Sequence, residues 1–110
     1  MTTMKAVRIH NQGGPDVLQY EEAPRPMMGT EEVLIRVHAA AVNPLDWKLR
    51  ANHFSDWQPT FPVILGCDVA GVIEAVGANV QNFTIGDEVY AAPDLGGYAE
   101  YVAVPAVEVA

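Results

Sequence analysis

The chain has 110 residues, half of them hydrophobic and 18 % charged, which is enough apolar material for one core and argues against disorder. Fourteen acidic residues against six basic ones leave a formal net charge of −8, which repels nucleic-acid phosphates and anionic membrane surfaces and weighs against either as a partner. One cysteine, Cys67, excludes an internal disulfide and a four-cysteine zinc lobe; no apolar segment reaches signal-peptide or membrane-span length, so a cytoplasmic protein is expected.

With 8 Pro and 9 Gly, many short elements are expected over long helices, and the class reads as mostly β. Lys5 to His10 is a first strand, closed by the turn Asn11-Gln12-Gly13-Gly14-Pro15, and Val17 to Glu22 returns as the second arm of a hairpin. Pro24-Arg25-Pro26 lacks ladder donors at two of three positions and reads as an extended connector. From Glu32 the chain alternates with period two through Val42, and both faces of this strand are partly apolar. Such a strand suits a barrel or a sheet covered on its outer side.

Asn43-Pro44 ends that strand. Pro44 to Ala51 has the make-up of a short helix, with Asn43 as N-cap, proline at the first position, Asp46 near the start and Lys48 and Arg50 near the end. Asn52 to Pro62 is a loop carrying Phe54 and Trp57. Phe61 to Ala92 follows as β-branched runs punctuated by glycines, with strands at Val63 to Leu65, Val69 to Val76 and Val89 to Ala92. Tyr98 to Val104 is a last alternating strand.

Gly66-Cys67-Asp68-Val69-Ala70-Gly71 has the glycine spacing of a phosphate-binding loop, but Val72-Ile73 stands where lysine and a hydroxyl residue are required. No GxGxxG occurs, so these residues do not encode a complete dinucleotide fold. Cys67 has no local histidine to activate it and no CxxC or HxxxH partner, which favours packing over nucleophile or metal ligand. His10, His38 and His53 read as surface or satisfied residues, and Glu21-Glu22 and Glu31-Glu32 as solvated faces. Asn43 to Lys48 is the stronger site candidate, because an amide, a carboxylate and an ammonium leave the end of the longest strand within two helical turns. The competing reading of that segment is a cap with an exposed helix face.

The segments Met4-Lys5-Ala6-Val7, Gly13-Gly14-Pro15, Val33 to Val37, Val42 to Trp47, Pro62 to Gly77, Gly86 to Tyr90 and Gly97 to Tyr101 span nearly the whole chain. In this order and spacing they resemble the N-terminal catalytic domain of the medium-chain dehydrogenase/reductase superfamily, in its zinc-independent quinone oxidoreductase branch. The resemblance implies that residues 1–110 form a GroES-like, partly open β-barrel with one or two short helices, truncated before a Rossmann domain. It implies NADPH held mainly by that absent domain, and a quinone or activated enone as the small-molecule substrate. It leaves room for a homodimer of the full-length enzyme.

Zinc-dependent members carry cysteine where this chain has Asn43, and histidine before glutamate where it has Cys67-Asp68, so no zinc is expected. By the same correspondence Asn43 is the catalytic and cofactor-binding candidate near nicotinamide and substrate carbonyl, with Lys48 a contact to cofactor or substrate and Asp46 holding the local turn. A free-standing barrel acting as a non-catalytic binding or assembly module is the alternative.

Overall fold

The computed structural model describes residues 2–110, and they form two antiparallel sheets, one α-helix and two single-turn 3-10 segments. The expected hairpin is present: β1 (Thr3–Ile9) pairs with β2 (Leu18–Pro24) in one unbroken register, from Thr3 opposite Pro24 to Ile9 opposite Leu18. Val17, expected in the second arm, belongs instead to a 3-10 turn at Pro15–Val17, where Pro15 pre-sets φ and the turn absorbs the long connection. Pro24 closes β2 at the ladder's end, where a missing N–H is tolerated.

The longest predicted strand is β3 (Glu32–Ala40), which is followed by α1 (Pro44–Arg50). The two-residue strand β4 (Val63–Ile64) lies on the other side of β1 and completes a three-stranded sheet in the order β2-β1-β4. β5 (Val69–Val76), β6 (Glu88–Ala91) and β7 (Tyr101–Pro105) join β3 in the second sheet, ordered β6-β5-β3-β7. A 3-10 turn at Ala106–Glu108 follows, and Val109 bridges back to Ala91.

The predicted last strand begins three residues late because Tyr98 to Glu100 serve the other sheet. Val7 N–H donates to the Tyr98 carbonyl at 2.8 Å, Glu100 N–H donates to the Lys5 carbonyl at 3.1 Å, and Ala6 bridges Ala99. These bonds stitch the two sheets along a seam, and among the described residues the sheets do not close into a full barrel, in keeping with the partly open barrel that the family resemblance implies. β3 is apolar on both faces only over Val33, Leu34 and Ile35, all buried, whereas His38, Ala39 and Ala40 are exposed. Register shifts at Leu34/Ile35 and Val37/Ala39 bend the strand and turn its C-terminal half out of the core.

The main core lies inside the four-stranded sheet and is built from Val33, Ile35, Val69, Ile73, Val89, Ala91, Val102 and Val104. A second cluster of Ile9, Leu49 and Leu65 sits under α1. Seven residues are too few for a helix to persist alone in water, and burial of Leu49 anchors this one. At Gly71 β5 passes too near β3 for a side chain, since a Cβ there would stand 2.1 Å from the Arg36 carbonyl oxygen. The glycines of residues 66–71 therefore serve strand packing and turning, not phosphate.

Candidate functional site

The end of β3, the head of α1 and the turn between β4 and β5 converge on one place, and Asp46 holds them together. Its side chain is the one buried charged group among the described residues, 2 % exposed. One oxygen accepts from Asn43 N–H at 2.8 Å and from the Tyr98 hydroxyl at 2.9 Å, while the other accepts from Gly66 N–H at 3.1 Å. A carboxylate without a basic partner is stable at such depth because donors from three segments surround it. The Asn43 backbone is extended (φ −116, ψ 159), Pro44 starts the helix, and Asp46 at its third position completes a capping box with Asn43.

Tyr98 is half-buried beside this carboxylate. Burial first, and then the hydrogen bond to Asp46, push its phenol above the ordinary value of 10.0. Both effects disfavour the phenolate, so Tyr98 remains a neutral donor.

On the outer side of this hub Asn43 meets the residues that the sequence pairs it with. Its side-chain Nδ2 lies 2.7 Å from Asp68 Oδ2 and 3.6 Å from Cys67 Sγ. A carboxylate offers no donor, so the Asn43 amide must turn its N–H groups toward Asp68. Cys67 is half-buried, and its sulfur takes the second amide contact. Asp68 is exposed and forms one edge of an open cleft of about 600 Å3, lined otherwise mainly by small apolar residues, among them Ala39 to Ala41, Ala70 and Ala91, with Tyr90 beside them. Asn43 borders this cleft through Asp68.

Lys48 is not drawn into the cluster. Its Nζ sits 5.7 Å from the Trp47 ring centroid, and it enters no salt bridge among the described residues. The other candidates lie elsewhere: His10 and Arg8 both bind Glu21, Lys5 pairs with Glu22, and His53 meets Trp47 edge-on at 5.1 Å. Glu21 and Glu22 thus face ion-pair partners on β1 rather than solvent alone. Among the described residues no three His, Cys, Asp or Glu side chains gather at a spacing that could hold a metal ion.

The sequence named Asn43, Asp46 and the Cys67-Asp68 turn but not Tyr98, whose hydroxyl reaches Asp46 across 52 positions. No local pattern signals that contact. The glycine pair Gly96-Gly97 was the available hint, because Gly97 N–H donates to the Gly66 carbonyl at 2.9 Å and brings Tyr98 against the turn.

Known proteins match this arrangement of elements. The family described as alcohol dehydrogenase GroES-like domain matches residues 29–110. The quinone oxidoreductase of Homo sapiens is 45 % identical over 100 residues, covering 89 % of this chain and 30 % of that protein. The NADPH-dependent alkenal/one oxidoreductase, chloroplastic, of Arabidopsis thaliana is 40 % identical over 111 residues, covering 92 % and 29 %. Among solved structures, Escherichia coli quinone oxidoreductase complexed with NADPH superposes with a TM-score of 0.89 at 29 % identity, covering 99 % of this chain and 32 % of that one. The chain spans less than a third of the length of the two curated relatives. No helix among the described residues is long and apolar enough to cross a membrane.

Proposed function

Because the chain belongs to the alcohol dehydrogenase GroES-like domain family, matched over residues 29–110, we propose that it is the substrate-side half of a cytoplasmic NADPH-dependent oxidoreductase that reduces quinones or activated enones. The observation that carries this reading is the Asn43-Cys67-Asp68 cluster beside an apolar cleft of about 600 Å3. A cleft lined by alanines suits a flat, weakly polar acceptor, and a few convergent polar groups at its edge suffice to orient it.

NADPH, when bound, supplies the hydride; what remains for the protein is position, polarity and exclusion of water. Within this chain Asn43 is the residue for the nicotinamide or the substrate carbonyl, because it alone combines a half-buried polar side chain with a fixed orientation at that edge. Lys48 adds a positive charge that no carboxylate engages among the described residues, which fits a second contact to an anionic cofactor.

The donor set does not fit catalytic zinc. Asn43 offers an amide in place of a thiolate or imidazole, and it occupies by hydrogen bonding the one thiol and one carboxylate that a metal would need. The reaction we infer is therefore metal-free.

The test is Asn43→Ala in the full-length polypeptide, with NADPH-dependent reduction of one quinone and one enone measured at steady state. Loss of an orienting contact of this kind should lower kcat/KM by about tenfold or more. Unchanged turnover together with unchanged Michaelis constants for both substrates would remove Asn43 from the mechanism.

A further inference from the structure

Asp68 decides which end of the Asn43 amide can meet a ligand. The Asn43 Nδ2 has two hydrogens, and two acceptors surround it, Asp68 Oδ2 at 2.7 Å and Cys67 Sγ at 3.6 Å. The carboxylate cannot donate, so a flipped amide would set two oxygens against each other at that distance. With both N–H groups engaged, the carbonyl oxygen is what Asn43 has left to offer: one of its two lone pairs faces the Asp46 backbone N–H in the capping box, which leaves the second for a ligand. Quinone and enone carbonyls are acceptors only, so they gain nothing from such a group. A primary carboxamide has N–H donors to give.

We propose that Asp68 is a positioning residue that locks the Asn43 amide with its N–H groups turned inward, so that this edge of the cleft accepts hydrogen bonds and selects the carboxamide NH2 of a nicotinamide over the carbonyl of the substrate. The inference rests on the functional reading above and narrows it: Asn43 orients the cofactor and does not stabilise charge on the substrate oxygen.

The experiment compares two ligands by calorimetry on the full-length polypeptide: NADP+, and its 3-acetylpyridine analogue, in which a methyl group replaces the carboxamide NH2 and the carbonyl is kept. The unmodified protein should bind the analogue about fivefold more weakly, the size of one neutral hydrogen bond. In Asp68→Asn, a near-isosteric change, the amide at position 43 is free to flip, and the ratio should fall below about twofold. Asn43→Ala should collapse the ratio in the same way, independently of any effect of the Asp68 change on folding.

A ratio that survives in both variants, or one that is absent from the unmodified protein, overturns the proposal while leaving the oxidoreductase reading standing. Failure of the unmodified protein to bind either dinucleotide overturns both. A purely structural role for Asp68 would weaken both ligands equally and preserve the ratio, which also rejects the proposal.

Discussion

At the scale of single residues, Asp46 carries the greatest structural weight. Asp46→Ala would leave three buried or half-buried donors, Asn43 N–H, Gly66 N–H and the Tyr98 hydroxyl, without their acceptor. We expect a loss of about 3 to 5 kcal/mol in urea unfolding, the range for breaking one side of a buried charged network. Tyr98→Phe removes a single donor and should lose about 2 kcal/mol.

Tyr98 also sets a pH dependence. A phenol whose ionisation is pushed up in the folded state leaves stability intact below the ordinary value of 10.0 and lets it fall as pH rises beyond, because the unfolded chain releases the proton first. Tyr98→Phe should flatten that alkaline decline, measured as the midpoint of unfolding between pH 9 and about 11. At this scale the sequence made Asp46 legible as an acid near the helix start and left its burial unannounced, since nothing near position 46 says that the Gly66 and Tyr98 donors will surround it.

At the scale of elements, the hairpin, the long strand, the short helix and the glycine-punctuated strands were readable from period and turn chemistry. Their ends were less so. Tyr98 to Glu100 alternate like a strand, yet they hydrogen-bond across the seam to β1. β3 stops at Ala40 because register shifts redirect it, and Ala41 N–H then donates to the Asp68 carbonyl at 3.0 Å.

Two glycines separate packing from conformation. Gly71→Ala would drive a Cβ to 2.1 Å from the Arg36 carbonyl, and we expect at least about 3 kcal/mol of destabilisation or loss of soluble protein. At Gly86 (φ +97) a Cβ meets nothing within 4 Å, so Gly86→Ala should cost only the backbone term, about 1 to 2 kcal/mol in the same unfolding assay. Leu49→Ala opens the cluster of Ile9 and Leu65 beneath α1 and should lower stability by about 2 to 4 kcal/mol, loosening the helix that presents Asn43 and Lys48.

At the scale of the whole molecule, the net charge of −8 and the lack of a GxGxxG turn in these 110 residues leave little to hold a dinucleotide's phosphates. The chain on its own should show no NADPH-dependent quinone reduction above background in an absorbance assay at 340 nm. Measurable turnover would contradict the division of labour proposed here. The sequence alone determined the class of fold, because period-two apolar runs separated by proline and glycine admit few other outcomes, and it supplied the residue types Asn43, Cys67 and Asp68 on which the proposed site rests. Only the tertiary structure decided that Asp46 is buried, that Tyr98 closes over it, that Lys48 stands apart, and that the Asn43 amide has one allowed orientation. Those depend on contacts between segments distant in the chain, and a hydrogen bond's direction is set by the partner the fold delivers.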